Sequence, residues 1–299
     1  MLKSHGRYDY VPIVGRKPYE WPNGTKLAVY TVLNLEVFPF GEGMGIDIAP
    51  GQPEPDVPNF SYRDWGNRVG FWRLLQLFDE FRIPATHFVN SELFDHCPQM
   101  IDAIGRRGDE IAGHGRTNAE RQGTMPEADE QRLIREVTEV IRARTGEAPR
   151  GWMGPWVSES RMTPDLLQEA GYRYLMEWCA DDAPIWLKTR RGRILAIPYP
   201  RPTNDLPLMH RYQLTPQEYA DILIDQFDEM LLQSQETPIA FCLSFHPYLS
   251  GHAFRIRQLR RVMKHIRSCA DQIWFARTGE IAEHVSGLPA GVVPGSEAA

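Results

Sequence analysis

The sequence predicts an α/β protein, a single irregular TIM-like barrel of seven or eight strand-helix units, (β/α)7-8. Apolar runs of strand length alternate with amphipathic helical patterns, and the composition does not change along the chain. The run at residues 27–33 is almost continuously apolar, which is typical of a parallel strand covered on both faces. The alternative is an open doubly wound sheet, but the glycine-rich turn that usually follows its first strand is missing here.

The repeating units are expected to form one catalytic domain over residues 25–286. Residues 1–24 are rich in Pro, Gly and Tyr and show neither the helical nor the strand period of apolar residues. This composition indicates an irregular arm on the outside of the domain. Residues 287–299 are expected to be a loose tail.

Each element is assigned from its hydrophobic period and its flanking Pro, Gly and capping residues. The predicted strands cover residues 27–33, 85–89, 110–113, 150–154, 172–176, 193–198, 238–245 and 272–275. The predicted helices cover residues 66–81, 98–107, 127–144, 163–170, 215–233, 254–267 and 278–285. The Pro- and Gly-rich segment 39–60 is too long for an ordinary connection, so we expect a lid or one wall of a site.

Composition and charge limit the possible partners. The net charge of −6 and the absence of a basic field argue against nucleic acid. The N-terminus lacks a signal-peptide pattern and no apolar run has membrane-span length, so a cytoplasmic location without membrane contact is the default expectation. The expected partner is a small-molecule substrate, and a homo-oligomer is left open.

Polar and aromatic side chains follow most of the predicted strands. They are Glu36, Asn90, His114, Asn118, Trp152, Trp156, Glu177, Trp178, Asp181, Asp182, Asn204, Asp205 and His246. In a parallel barrel the carboxyl ends of all strands meet at one rim. Each residue alone has a structural alternative, such as a helix cap or a buried hydrogen bond. Together, a carboxylate beside imidazoles predicts a general acid-base site.

Several segments resemble the polysaccharide deacetylase superfamily (NodB homology, carbohydrate esterase family 4), and within it the metal-independent allantoinase-like branch. The resemblance runs over about residues 7–285, and its segments are RYDYVPI, LNLE, GDEIAGHG, DDAPIW, IPYP followed by TND, and FHPY. It implies a NodB-type irregular barrel and a hydrolase of non-peptide carbon-nitrogen bonds, of the deacetylase or amidohydrolase type.

The sequence departs from the usual pattern of this superfamily at its metal site. The typical member has two adjacent acids after the first strand and two histidines spaced four apart. Here Glu36 and His114 match the first of each pair, but Val37 and Asn118 stand at the second positions. Valine cannot bind a metal and an asparagine amide is a poor substitute for imidazole. We therefore expect no cofactor. The alternative is a divalent metal such as zinc, held by Glu36, His114 and His246.

The allantoinase-like resemblance implies a role for each candidate residue. Glu36 is the expected base that activates water, and His114 and His246 orient the water and stabilise the oxyanion or protonate the leaving nitrogen. The expected substrate-binding residues are Asn90, Arg116, Asn118, Trp156, Trp178, Asp182 and Asn204.

The predicted function is hydrolysis of a small cyclic amide, imide or ureide such as allantoin. One alternative is a metal-dependent N-acetyl-sugar deacetylase. Another is a small-molecule binding protein that has lost its chemistry along with the metal ligands.

Overall fold

The computed structural model describes residues 3–42 and 50–297. It shows a curled sheet of mostly parallel strands with helices packed around it, which confirms the predicted irregular α/β barrel. The strands are β1 (Leu27–Leu35), β2 (Ala85–Val89), β3 (Glu110–Gly113), β4 (Gly151–Trp152), β5 (Tyr174–Leu175), β6 (Ile185–Thr189), β7 (Gly192–Ala196), β8 (Ile239–Phe245) and β9 (Ile273–Ala276).

The sheet order is β6-β7-β5-β4-β3-β2-β1-β8, and β9 pairs with the first half of β1. Every pairing in the described chain is parallel except that of β6 with β7. All nine residues of β1 are buried, as its apolar sequence predicts for a strand with neighbours on both sides. The hydrogen bond from Ala240 N to Asp182 O, at 2.8 Å, joins the two ends of the curled sheet.

Ten α-helices surround the described part of the sheet. They are α1 (Val57–Trp65), α2 (Phe71–Phe81), α3 (Leu93–His96), α4 (Pro98–Arg107), α5 (Glu127–Thr145), α6 (Thr163–Glu169), α7 (Pro216–Gln233), α8 (Pro247–Ser250), α9 (Ala253–Ser268) and α10 (Thr278–Ser286). None of the helices in residues 3–42 and 50–297 is both long and apolar enough to cross a membrane.

The first helix begins at Val57, well before the predicted start at residue 66. Asp56 caps it by accepting a hydrogen bond from Asn59 N at 3.1 Å, and Pro58 stands in the first turn. A π-helical turn, Gly66–Gly70, then connects α1 to α2. The structure therefore places helix where we expected the end of the loop 39–60. Residues 43–49 of that loop lie outside the described residues, so its role as a lid stays a prediction.

Two further expectations are corrected by the structure. Strand β6 was not predicted, and it pairs with β7 through a turn at Arg190 and Arg191. The tail is not loose over residues 287–297, because Val293 is buried and Pro294 O accepts a 2.9 Å hydrogen bond from Trp186 N. The unpredicted β6 offers a free strand edge, and the tail covers it.

The π-helical turn packs directly on α8, the helix that follows the late strand β8. A Cβ atom added at Gly70 would lie 2.1 Å from Pro247 O, and one at Gly66 would lie 2.6 Å from Tyr248 N. Both positions therefore need glycine because of close backbone approach. This contact fixes the segment after β1 against the segment after β8.

Gly70→Ala is expected to destabilise the protein by about 1–3 kcal/mol, because the added methyl group has no space beside the Pro247 carbonyl. Urea unfolding measures the loss. Gly105→Ala in α4 is the matched control, since a Cβ there meets nothing within 4 Å and helix propensity favours alanine. Equal free energies of unfolding for the two variants would show that the π-helical turn does not pack closely on α8.

Candidate active site

Three strand ends bring an acid and two imidazoles together. Glu36 follows β1, His114 follows β3 and His246 follows β8. Glu36 Oε1 lies 3.9 Å from His114 Nε2 and 3.6 Å from His246 Nε2. All three side chains are buried. The structure thus places the three residues predicted to be catalytic around one point at the carboxyl end of the sheet.

The Glu36 carboxylate is surrounded by positive charge. Arg63 of α1 lies behind it, with Nη1 3.8 Å from Glu36 Oε2. Burial raises the pKa of the Glu36 carboxyl, but the His114 and His246 imidazoles and the Arg63 guanidinium outweigh burial. The net pKa lies below the ordinary value, so Glu36 is a carboxylate at neutral pH. Asn67 of the π-helical turn holds its backbone, donating to Glu36 O at 2.9 Å.

His246 is held by a buried carboxylate. Its Nδ1 lies 2.6 Å from Asp205 Oδ1, and its backbone N–H donates to Asp205 Oδ2 at 2.7 Å. Burial lowers the pKa of His246, but Asp205 and Glu36 raise it by more, so the net pKa lies above the ordinary value. The raised pKa favours the imidazolium form of His246, which can give up a proton.

His114 has a different partner and therefore a different role. Its Nδ1 lies 2.5 Å from Met153 O, and a carbonyl oxygen can only accept, so Nδ1 carries the proton. In the neutral ring this leaves the Nε2 lone pair facing Glu36. His114 Nε2 has no hydrogen-bond partner among residues 3–42 and 50–297. This nitrogen faces Glu36 and the cavity, where a water molecule or a substrate can bind to it.

Asn90, which follows β2, orients Asn118. Asn90 Oδ1 accepts from Val37 N at 2.9 Å, which fixes the amide and makes Nδ2 its donor side. That Nδ2 donates to His114 O and to Asn118 Oδ1, the latter at 3.3 Å. The Asn118 Nδ2 group is left without a protein acceptor within the described chain, and Asn118 lines the same cavity as Glu36. It is a free N–H donor at the site.

The three residues form the base of a cavity of about 210 Å³. Its lining includes six residues predicted from the sequence: Glu36, His114, Asn118, Trp156, Asn204 and His246. A volume below the 300–1,000 Å³ of typical drug-sized pockets suits a small substrate.

Trp156 forms one wall in a strained backbone conformation, with φ of 68°, and Val157 beside it has φ of 55°. Two hydrogen bonds hold this segment. Trp156 Nε1 donates to Asn118 O at 2.8 Å, and Gly154 N donates to Glu177 Oε1 at 2.6 Å. Strain of this kind persists only where the surroundings enforce it, which supports a functional wall.

Besides Asn90, which orients Asn118, three predicted substrate-binding residues do not line this cavity. Arg116 forms ion pairs with Glu120 and Glu136, at 2.8 and 2.7 Å. Trp178 packs on Tyr8 of the N-terminal arm, with ring centroids 5.7 Å apart.

Asp182 is the third, and it lies at the opposite end of the barrel. Its backbone carbonyl accepts from Ala240 N at the amino end of β8, whereas His246 follows the carboxyl end of that strand. Asn204 does line the cavity, but its Nδ2 is already bonded to Tyr199 Oη and Ser244 Oγ, at 2.8 and 3.2 Å. Asn204 therefore braces the wall.

Arg63 is a site residue that the sequence analysis did not find. It lies between the predicted loop 39–60 and the predicted helix start at residue 66, and the signal that could have found it is the helix start at Asp56, with Pro58 in the first turn. Asp205 was noted at a strand end, but its pairing with His246 was not predicted.

The residues at the superfamily's usual metal positions do not fit a metal. Val37 packs its side chain in the hydrophobic core, and the oxygen of the Asn118 amide is taken up by Asn90. In the part of the chain that the structure describes, no group of three or more His, Cys, Asp or Glu side chains is arranged to hold a metal ion. Metal independence itself stays a prediction.

Comparison with known proteins finds polysaccharide deacetylases among its matches. The polysaccharide deacetylase family model matches residues 62–175. The peptidoglycan deacetylase of Helicobacter pylori is 26% identical over 265 residues, covering 78% of this chain and 88% of that protein. The structure of a probable polysaccharide deacetylase from Pseudomonas aeruginosa has a TM-score of 0.81 and 27% identity, covering 92% of this chain and 97% of that one.

The structure of Puue allantoinase also has a TM-score of 0.81, with 28% identity and the same coverage of 92% and 97%. Fold, site and comparisons together define a hydrolase of the α/β barrel class. The chain is similar to polysaccharide deacetylases and is a hydrolase of the type that acts on non-peptide carbon-nitrogen bonds. The resemblance described from its sequence segments is confirmed.

Proposed function

We propose that this protein hydrolyses a carbon-nitrogen bond in a small cyclic amide, imide or ureide without a metal ion. The main supporting observation is the convergence of Glu36 Oε1 on the Nε2 atoms of His114 and His246, at 3.9 and 3.6 Å. Valine and asparagine at the usual metal positions leave acid-base catalysis as the chemistry that these side chains can perform.

Glu36 is the proposed base. A water molecule between Glu36 and His114 donates its two protons to Glu36 Oε1 and His114 Nε2, which directs an oxygen lone pair at the substrate carbonyl. Attack forms the new C–O bond while Glu36 takes up one proton. The depressed pKa keeps Glu36 ionised before attack, and its buried position strengthens its interaction with the water.

His246 is the proposed acid. Breaking the C–N bond leaves an electron pair on nitrogen, which takes the Nε2 proton of His246. Asp205 stabilises the imidazolium until that moment and keeps the ring oriented. The Asn118 Nδ2 group donates to the oxyanion, a contribution of about 10²–10³ in rate for a single donor. A ring amide yields one open-chain product carrying a carboxyl group, which ionises in water, and the released amine. The proton on Glu36 then passes to His246 Nε2, 3.6 Å away, which restores both groups.

The cavity volume of about 210 Å³ supports a small substrate, at about seven water volumes. The similarity to the structure named Puue allantoinase supports the ureide class. The Helicobacter pylori relative is named a peptidoglycan deacetylase, which favours hydrolysis of an N-acetyl sugar as the second candidate.

A substrate screen distinguishes the two candidates. We expect turnover of at least one cyclic ureide or imide among allantoin, hydantoin, dihydrouracil and succinimide, detected by carboxylate release. Turnover of N-acetylglucosamine oligomers alone would replace the proposal with the sugar deacetylase. Tight ureide binding without any product would instead indicate a binding protein.

A further inference from the structure

One side of the active-site cavity is strongly cationic. Arg201, His210 and Arg211 line the same cavity as Glu36. Among the described residues that line it, Glu36 is the sole acid, and it already lies beside Arg63 and two imidazoles. Apart from Glu36, no carboxylate among the described lining residues balances the two guanidinium groups.

These two arginines differ from Arg16 and Arg116, which form ion pairs. Arg16 pairs with Asp181 at 2.5 Å, and Arg116 pairs with two glutamates. Within residues 3–42 and 50–297, neither the Arg201 nor the Arg211 side chain forms a hydrogen bond or an ion pair, and both are exposed. The chain as a whole is acidic, with net charge −6, so a basic cavity wall runs against its overall charge.

The segment carrying the arginines is fixed to the catalytic residues. It includes Asp205, which holds His246, and it ends in the π-helical turn Leu206–Arg211. Thr203 O accepts from Tyr219 Oη of α7 at 3.2 Å, and Leu206 N donates to Asn204 Oδ1 at 2.9 Å. Hydrogen bonds at Thr203 and Leu206 therefore hold the backbone between the two arginines on both sides of Asp205, the residue that orients His246.

We propose that the substrate carries a carboxylate that Arg201 and Arg211 bind while Glu36 and His246 act on the carbon-nitrogen bond. The planar guanidinium fork matches a carboxylate with two parallel N–H···O bonds. The small cavity then suits a carboxylated cyclic ureide or imide. This inference rests on the proposed function, since it names the substrate class of that site.

A matched pair of compounds tests the inference. Hydantoin-5-acetate and hydantoin-5-acetamide have the same ring and nearly the same shape, but only the first carries a negative charge. We expect the wild-type kcat/KM to favour the acetate by about 10- to 100-fold, the range for a hydrogen-bonded charge. Arg201→Gln and Arg211→Gln should each reduce that ratio about tenfold, chiefly by raising KM for the acetate.

Arg257→Gln is the control, because Arg257 is exposed on α9 and does not line the cavity. The preference of this variant for the acetate over the acetamide, as the ratio of kcat/KM values, should match that of the wild type. Equal or better turnover of the acetamide by the wild type would overturn the inference and leave the proposed function standing. Calorimetric binding of the acetate that weakens in Arg211→Gln, without hydrolysis of either compound, would support the carboxylate site and contradict the proposed hydrolysis. If the ratio of kcat/KM for the acetate to that for the acetamide is unchanged in both arginine variants, these side chains do not bind the substrate carboxylate.

Discussion

Glu36→Gln is expected to reduce turnover by about 10²–10⁴-fold and to leave the fold intact. Glutamine keeps the shape of the side chain but cannot accept the proton that water loses. The variant's kcat is compared with wild type on the best substrate of the screen, and circular dichroism checks folding. Glu283→Gln is the control, because Glu283 lies exposed on α10, with 68% of its side chain accessible.

Full activity in Glu36→Gln would show that another group is the base. Loss of activity together with loss of structure would point instead to the buried Glu36 charge stabilising Arg63. Glu36→Asp separates these outcomes, since it keeps the charge and moves the carboxylate back by one methylene. Folded Glu36→Asp with reduced kcat would support the catalytic role.

Asp205→Asn is expected to reduce kcat by about 10²–10⁴-fold and to change the pH profile. Wild-type activity should fall at low pH as Glu36 is protonated, below its ordinary pKa, and at high pH as His246 loses its proton, above its ordinary pKa. Because Asp205 raises the pKa of His246, its loss should move the alkaline limb to lower pH. Initial rates across the pH range measure the shift.

The chain provides a matched control for this change. His265 Nε2 lies 2.6 Å from Asp228 Oδ1 in a surface pair, and neither residue lines the active-site cavity. Asp228→Asn removes the same kind of contact where no reaction takes place, so its pH profile should follow the wild type. An alkaline limb that stays in place in Asp205→Asn would contradict the role of His246 as acid.

The sequence predicted that Glu36, His114 and His246 belong to one site because strand ends are recognisable locally. A run of apolar residues ending in Glu36, His114 or His246 needs only the parallel topology to bring the three together. Asp205 and Arg63 were not assigned to the site, because their roles depend on contacts between distant segments. Arg63 depends on α1 packing against the segment after β1, and no local pattern encodes that packing.

The substrate-binding residues were harder to predict for the same reason. A position after a strand does not determine where a side chain points. Arg116 turns to the glutamates around it, and Trp178 is covered by the N-terminal arm. Asp182 was misplaced because β6 was not predicted, and β6 reverses the chain direction at that edge of the sheet.

The central claim is that hydrolysis proceeds by acid-base catalysis without a bound metal. The most direct test is elemental analysis of the purified, dialysed protein, with turnover measured on the same sample before and after treatment with a chelator. We expect far less than one metal ion per chain, full activity in that sample and no loss of activity after chelator treatment. A tightly held equivalent of zinc, nickel or iron would contradict the metal-independent mechanism if its removal abolishes turnover and its return restores turnover.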